Sequence, residues 1–260
     1  MSSSKKQSPR NLVRVVSLNT DVLDHHLAIE RVADLVRKGD GGYVCFSTVH
    51  MVMEAHDSPD FAAKVNGADI IVPDGMPIVW MQKLIGDRSP TRVRANDMMM
   101  LLCRHAGVHG LKVGFYGGTQ EVMDAIVERA GRDFPDLKIV YAFSPPFRPL
   151  TEEEDERITR EINTAAPDIL FIGLGCPKQE NWMAEHKEKV NAVMLGVGAS
   201  FDFFAGNVRE SPDWLGRLGL EWLYRLTQEP RRLWRRYLIL NPRFMALAVR
   251  QLISQTSKRK

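Results

Sequence analysis

Two stretches of the chain decide its fold: residues 167–182, PDILFIGLGCPKQENW, and residues 191–206, NAVMLGVGASFDFFAG. In each stretch a short apolar run ends in two glycines separated by one residue, and polar side chains follow. A buried parallel strand has such an apolar run, and glycine lets the backbone approach a ligand closely. Ligands of open α/β sheets bind outside the carboxyl ends of the strands. The two loops therefore predict one shared site, although tight turns without a ligand would use the same glycines.

The same alternation of apolar runs and helical segments extends along most of the chain. Thr151 followed by Glu154 is a capping box that begins a helix, Gly39 is a helix stop, and Asp21 is predicted to cap the first helix. Further strands are predicted at residues 13–18, 43–46, 69–72, 112–116 and 138–141. Strands that alternate with helices of this length predict an α/β fold, with a Rossmann-like, mainly parallel sheet and helices on both faces.

The composition bounds the class of protein. A hydrophobic content of 44 % and a charged content of 26 % are typical of a soluble globular protein. Cys45, Cys103 and Cys176 lie far apart, so they predict neither a disulfide framework nor a zinc site, and no metal-binding cluster is apparent. No stretch approaches the roughly 20 apolar residues of a membrane span, and the polar, basic N-terminus does not have the pattern of a signal peptide.

The C-terminal part has a different character. Residues 207–260 carry twelve Lys and Arg against four Asp and Glu, a net charge of +8, whereas residues 1–206 carry 23 basic and 28 acidic residues. Apolar side chains recur there at three- or four-residue spacing, which predicts amphipathic helices, with Pro230 and Pro242 near the starts of the second and third. Arginine and tryptophan on such helices suit a membrane interface. Helices packed on the core with solvated arginines are the alternative.

Asp74 is the strongest candidate for chemistry outside the two glycine loops. It follows an apolar run, precedes a glycine and opens a helix, so its carboxylate is predicted at the carboxyl end of a strand. A carboxylate there could act as a general base that removes a hydroxyl proton. The alternative is a plain helix-capping aspartate.

Several other residues are predicted at the same edge of the sheet. Backbone N–H groups at a helix N-terminus bind phosphate well, and a Gly-Gly-Thr sequence placed between a strand and a helix fits that role. Thr48 and His50 follow another predicted strand, and the histidine could equally have a structural role. Arg94 and Asn96 could bind a phosphate or a sugar, or they could cap a helix. These candidate residues are Thr48, His50, Arg94, Asn96, Gly117 and Gly118.

Taken together, the ordered blocks of the sequence resemble the WecG/TagA/CpsF glycosyltransferases (glycosyltransferase family 26). The resemblance runs in order through nearly all of residues 13–240. Its blocks are ADIIVPDGMP (68–77), GFYGG (114–118), the two opening stretches, RESPDW (209–214) and QEPRR (228–232).

The resemblance implies an inverting transferase that moves a sugar from a UDP-sugar to an undecaprenyl-diphosphate-linked sugar in the synthesis of a bacterial cell-surface polysaccharide. It implies Asp74 as the general base, no essential metal or other cofactor, and a peripheral location on the cytoplasmic face of the inner membrane. Predicted partners are the two substrates and an anionic membrane surface, with possible homo-oligomers and no nucleic acid. The predicted UDP-donor residues are Thr48, His50, Arg94, Asn96, Gly117, Gly118, Gly175 and Gln179, and the predicted residues for the lipid diphosphate or membrane are Arg217, Arg225, Arg231 and Arg232.

The resemblance also suggests a division of the chain into three parts. These are a disordered tail (residues 1–11), an α/β glycosyltransferase core (residues 12–206) and a basic helical appendage (residues 207–260) for membrane contact and active-site closure.

One departure from the family concerns the donor sugar. The family has Thr and Asn where Phe46 and Thr48 stand here, which leaves glucose, N-acetylmannosamine and its uronic acid as alternatives. Two other functions are weighed against a transferase. A dinucleotide-dependent oxidoreductase is disfavoured because no G-x-G-x-x-G follows the first strand. A non-enzymatic membrane- or nucleic-acid-binding module would use the basic C-terminal part and would tolerate loss of the Asp74 carboxylate.

Overall fold

A computed structural model describes residues 10–86 and 90–258 of the chain. Strands and helices alternate along most of these residues. The side chains of residues 213, 217, 257 and 258 lie outside the described part. The strands are β1 (Leu12–Val15), β2 (Leu18–Asp21), β3 (Gly42–Ser47), β4 (Ile70–Pro73), β5 (Lys112–Gly117), β6 (Lys138–Phe143), β7 (Ile169–Gly173) and β8 (Val193–Gly196). The first helices are α1 (His25–Lys38), α2 (Val49–Asp57), α3 (Pro59–Asn66), α4 (Met76–Ile85), α5 (Ala95–His109), α6 (Gln120–Asp133), α7 (Glu152–Ala165), α8 (Lys178–His186) and α9 (Ser200–Ala205). The C-terminal helices are α10 (Asp213–Arg217), α11 (Glu221–Gln228), α12 (Pro230–Arg235) and α13 (Asn241–Lys258).

Strands β3 to β8 form one six-stranded sheet in the order β4-β3-β8-β7-β5-β6. Every neighbouring pair in it is parallel, which confirms the predicted α/β fold. Strands β7 and β8, which carry the two glycine loops, are neighbours, with Ile169 opposite Val193 and Ile172 opposite Gly196. Because all six strands point the same way, their carboxyl ends share one edge of the sheet.

The sheet is covered by helices on both faces, and each face has its own apolar core. Helices α1, α5, α6 and α9 form one core with the sheet, where Phe115 and Phe171 stack with ring centroids 5.6 Å apart. The second core involves α2, α3, α4, α7 and α8, and it also buries Phe244 and Ala248 of α13. The C-terminal helix is therefore packed on the core rather than detached from it.

The N-terminus differs from the prediction of one strand over residues 13–18. Strands β1 and β2 form an antiparallel hairpin instead, because the chain turns at Val16, whose φ is 54°. Asp21 does not cap the first helix. It is buried and accepts hydrogen bonds from Arg10, Arg31 and the backbone N–H of Ile71. Asp24 is the cap, since its carboxylate accepts from the N–H of Leu27 at 2.8 Å.

The C-terminal part is helical, as predicted, and Pro230 is the first residue of α12. A proline at the start of a helix costs little because its missing N–H would have no partner there. Pro242 does not begin a separate helix, because residues 230–258 are helical without a break and a π-helical turn over Arg236–Leu240 joins α12 to α13. Across residues 10–86 and 90–258, no helix has the length and apolar character needed to cross a membrane.

Candidate active site

A cleft of about 800 Å³ opens at the carboxyl edge of the sheet. Its walls come from the residues that follow β3, β4, β5, β7 and β8 and from the C-terminal helices α11 and α12. The predicted site residues that line it are Thr48, His50, Asp74, Arg94, Asn96, Gly118, Gly175, Gln179, Arg225 and Arg232. The two glycine loops thus face one cavity together with Asp74, although they are separated from it by about a hundred residues of chain.

Three predicted residues are placed elsewhere or are not described. Gly117 is the last residue of β5 and is not among the residues lining the cleft. Arg231 is exposed on α12 and does not line it either. The side chain of Arg217 lies outside the described part of the structure.

Asp74 directly follows β4 and lies in the cleft with 18 % of its side chain exposed. Its backbone N–H donates to the carbonyl of Ser47, the last residue of β3, at 3.1 Å. Helix α4 begins after Gly75 and has no side-chain cap, so the Asp74 carboxylate is not used to cap that helix. The loop is instead held by backbone bonds, and the carboxylate lines the cleft.

The pKa of the Asp74 carboxyl is raised above its ordinary value. Burial is the main cause, and the negative charge of Glu221 adds to it. The guanidinium groups of Arg92 and Arg94 and the backbone N–H of Ala95 oppose the rise by favouring the ionised form. A carboxylate with a raised pKa is a stronger base than a solvated one, which suits general-base catalysis.

Thr48 and His50 begin helix α2 at the rim of the same cleft. Thr48 is the helix cap, and its hydroxyl accepts from the N–H of Met51 at 3.4 Å. The Nε2 of His50 lies 3.2 Å from a carboxylate oxygen of Glu54, and its Nδ1 has no hydrogen-bond partner among the described residues. Burial, helped by the charge of Arg236, lowers the pKa of His50 to about 4. The imidazole is therefore neutral at pH 7.

Gln179 connects the two glycine loops. Its Oε1 accepts from the N–H of Gly175 at 3.1 Å, and its Nε2 donates to the carbonyl of Gly196 at 2.8 Å and to Glu180 at 2.7 Å. The side chain is buried, and both of its ends are engaged within the protein. Gln179 therefore holds the loops after β7 and β8 at a fixed separation, a geometry suited to positioning them for a ligand.

Glu180 is a fully buried carboxylic acid directly behind these loops. One carboxylate oxygen accepts from Gln179, and the other has no hydrogen-bond partner among the described residues. Burial raises the pKa of Glu180 to about 7, against the opposing effects of the hydrogen bond from Gln179 and the charge of Arg236. The group can therefore carry a proton at neutral pH.

Arg94 and Asn96 are both engaged by Glu210, which belongs to the loop before α10. Arg94 Nη2 donates to one carboxylate oxygen of Glu210 and Asn96 Nδ2 donates to the other, both at 2.6 Å. Asn96 is buried, and its Oδ1 has no hydrogen-bond partner among the described residues. These two predicted donor-binding residues thus tie the C-terminal part to the start of α5.

The C-terminal helices turn their arginines toward the cleft. Its lining includes the side chains of Arg225, Arg232, Arg235 and Arg236. Glu229 lies 2.6 Å from Arg232 and 3.9 Å from Arg225, whereas among the described residues no carboxylate lies within ion-pair distance of Arg236. A cluster of cations with so few counter-charges is suited to a multiply charged anion such as a diphosphate.

Sequence reasoning missed Arg92, Glu210, Glu221 and Arg236. Arg92 shares the Arg-x-Arg-x-Asn sequence of residues 92–96, whose alternation could have drawn attention to it. Arg236 lies off the apolar stripe of the C-terminal helices, as do the arginines that were singled out. No local signal distinguishes Glu210 or Glu221, since each gains its importance only from a distant partner.

Comparison with known proteins identifies the family of this chain. The chain matches the pattern described as the glycosyl transferase WecG/TagA/CpsF family over residues 13–258. The chain is similar to proteins of two bacilli that are named N-acetylglucosaminyldiphosphoundecaprenol N-acetyl-beta-D-mannosaminyltransferase. The Bacillus spizizenii protein is 32 % identical over 81 % of this chain and 79 % of its own length. The Bacillus subtilis protein is 32 % identical over 69 % of this chain and 68 % of its own. On this evidence, the chain belongs to the WecG/TagA/CpsF family of glycosyltransferases.

Proposed function

We propose that this glycosyltransferase moves a hexose from a UDP-sugar to a hydroxyl of undecaprenyl-diphosphate-linked N-acetylglucosamine, with Asp74 as the general base. The observation that carries the proposal is the Asp74 carboxylate, which lines the cleft, does not cap the helix α4 that follows it and has a raised pKa. The acceptor is taken from the names of the similar bacillus proteins. Family membership sets aside the oxidoreductase and the non-enzymatic binding module.

In the proposed reaction, Asp74 removes the proton from the acceptor hydroxyl. The oxygen attacks the anomeric carbon of the donor sugar on the face opposite UDP, so the configuration inverts. The bond from that carbon to the β-phosphate oxygen breaks, and its electron pair leaves with UDP. The proton ends on Asp74.

The donor is proposed to bind against the glycine loops. Gly118 and Gly175 present backbone to the cleft without side chains in the way, and Gln179 holds the second loop in place. Thr48 and His50 line the same cleft as these loops and would face the sugar. Because His50 is neutral at pH 7, it would offer hydrogen bonds there without a charge.

The acceptor is proposed to enter beside the C-terminal helices, which act as the membrane-contacting appendage of the core. Arg225, Arg232 and Arg236 supply cations to the cleft for the lipid diphosphate. Large apolar side chains of the same helices face outward, including Trp214 at 60 % and Leu238 at 58 % exposure. Cations toward the substrate and apolar groups toward the outside fit peripheral binding to the cytoplasmic face of the membrane.

The base assignment is tested by Asp74→Asn in a UDP-release assay with a lipid-diphosphate-linked N-acetylglucosamine acceptor. Asparagine keeps the shape but cannot take the proton, so turnover should fall by about 10²–10⁴-fold with the melting temperature retained. Asp136→Asn is the matched control, because Asp136 is an exposed carboxylate just before β6, at the opposite edge of the sheet. Turnover of Asp74→Asn within a few-fold of the parent would contradict the assignment.

The transferred sugar is identified by the same assay with a panel of donors. UDP-glucose, UDP-N-acetylmannosamine and its uronic acid are each offered with the same acceptor. A donor that releases UDP only in the presence of acceptor is the substrate. If none of the UDP-sugars supports acceptor-dependent release, the proposed donor class is wrong.

A further inference from the structure

Arg92 is shared between two carboxylates in the cleft, one from the core and one from the C-terminal helices. Its Nη2 lies 2.8 Å from Glu221 and 3.6 Å from the carboxylate of Asp74. Its Nε donates to the backbone carbonyl of Asp74 at 2.5 Å. All three side chains are 18 % exposed, so water screens these charges only in part. The guanidinium is therefore anchored beside Asp74 but makes its closer charged contact with Glu221.

This arrangement matters because an arginine next to a base weakens it. A guanidinium in direct contact with Asp74 would stabilise the ionised carboxylate and lower its affinity for a proton. Glu221 takes up that contact and adds a second negative charge nearby. Arg92 still lowers the pKa of Asp74, but it lies 3.6 Å from that carboxylate and only 2.8 Å from Glu221, so Asp74 loses less of its basicity than in a direct contact.

We propose that Glu221 is a positioning residue for the transfer reaction, one that holds the Arg92 guanidinium away from the Asp74 carboxylate and so keeps Asp74 effective as the base. The inference rests on the proposed role of Asp74. Since Glu221 is the first residue of α11 and Asp74 follows β4, the base reaches full strength only when the C-terminal helices are in place over the sheet.

The other groups that face Asp74 do not replace Glu221 in this role. Arg94 is a cation and lowers the pKa of Asp74, as does the N–H of Ala95. The recess that Asp74 and Glu221 share is also lined by His50, Arg225 and Arg236. His50 is neutral at pH 7, and the two arginines add positive charge. Of the described groups that shift the pKa of Asp74, Glu221 is the carboxylate that raises it.

The test is the pH dependence of kcat/KM for Glu221→Gln in the UDP-release assay. Without the charge of Glu221, Arg92 turns to Asp74, so the acidic limb of the profile should move to lower pH by about one unit. The turnover number should fall up to about tenfold as the base weakens. Glu221→Asp keeps the charge on a shorter side chain, and its acidic limb should move less than half as far.

Asp57→Asn is the matched control. Asp57 pairs with Arg243 of α13 at 2.7 Å, so this variant also breaks an ion pair between the core and the C-terminal helices, but away from Asp74. It should leave the acidic limb in place. Thermal unfolding of each variant establishes that the fold is retained.

The possible outcomes separate the inference from the function on which it rests. If Asp74→Asn keeps the acidic limb, the limb does not report Asp74 and the proposed base is wrong. If that limb disappears in Asp74→Asn but does not move in Glu221→Gln, Glu221 has no positioning role. Equal shifts in Glu221→Asp and Glu221→Gln would also overturn the inference, because the charge would then be irrelevant.

Discussion

Buried polar side chains hold the loops at the edge of the sheet, and one of them, Glu180, is a fully buried carboxyl group. A carboxylate without water is costly unless it is paired or protonated. One carboxyl oxygen of Glu180 accepts a hydrogen bond from Gln179. The other oxygen has no hydrogen-bond partner among the described residues. Protonation is the remaining way to lower that cost, and it accounts for the raised pKa.

Stability should therefore depend on pH through Glu180. The pKa is about 7 in the folded protein and about 4.3 in an unfolded chain. Between these values the folded state holds a proton that the unfolded state has lost, so stability decreases as pH rises through this window. The loss amounts to roughly 4 kcal/mol at most. Glu180→Gln retains an acceptor for Gln179 and cannot ionise, so this loss should disappear.

Urea unfolding at pH 5 and pH 8 measures this effect. The free energy of unfolding of the parent should fall more between the two pH values than that of Glu180→Gln. Glu128→Gln, which removes an exposed glutamate from α6, serves as the control and should behave as the parent does. An identical pH dependence in the parent and Glu180→Gln would show that Glu180 is ionised throughout.

At the scale of elements, the turn between β7 and α8 combines a packing glycine with a glycine that faces open space. A Cβ on Gly173 would lie 2.2 Å from the ring of Phe201, which is buried. A Cβ on Gly175 would meet nothing within 4 Å, although its φ of +79° disfavours any side chain. The same short turn thus contains one position set by packing and one that borders the cleft.

Alanine at these two positions should have different effects. Gly173→Ala should destabilise the fold by about 1–3 kcal/mol, because it overpacks the contact with Phe201. Gly175→Ala should cost about 1 kcal/mol of backbone strain and weaken UDP binding at least tenfold, because its methyl group enters the proposed nucleotide site. Calorimetric titration with UDP and thermal unfolding separate the two effects. Unchanged UDP affinity in folded Gly175→Ala would place the nucleotide elsewhere in the cleft.

At the scale of the whole molecule, the outward apolar side chains of the C-terminal helices are the proposed lipid contact. Trp214, Trp234 and Leu238 are 60 %, 44 % and 58 % exposed. Full transfer of a large apolar side chain from water into an apolar environment contributes about 1.5–3 kcal/mol to the free energy of binding. These side chains are already partly buried in the protein, so each contributes somewhat less. Replacing all three with Gln should therefore reduce partitioning to liposomes at least tenfold.

Co-sedimentation with liposomes containing anionic lipid tests this prediction. Val108→Gln is the control, because Val108 is 77 % exposed near the far end of α5, away from the cleft. Its binding should match that of the parent. If the triple variant binds as well as the parent, the membrane contact does not involve these side chains, and the exposed arginines of α12 become the next surface to test.

The alternation of strands and helices, the parallel sheet and the edge that holds the candidate site could be predicted from the sequence. Buried parallel strands have a continuous apolar pattern, and helices begin and end at local signals such as the capping box of Thr151 and Glu154. Asp74 and the glycine loops were found because a residue that follows a strand lies at the carboxyl edge whichever strands are neighbours. The N-terminal hairpin was missed because its two-residue turn, Val16 and Ser17, contains neither glycine nor proline to mark a turn in the sequence.

Only the tertiary structure decided which charges surround that edge. Glu210 pairs with Arg94 across 116 positions of the chain, and Glu221 pairs with Arg92 across a similar distance. The sequence determined that arginines lie off the apolar stripe of the C-terminal helices, but not that they face the cleft. Periodicity assigns a side chain to a face of its own helix, whereas the partner of that face depends on how helices more than a hundred residues away pack against the sheet.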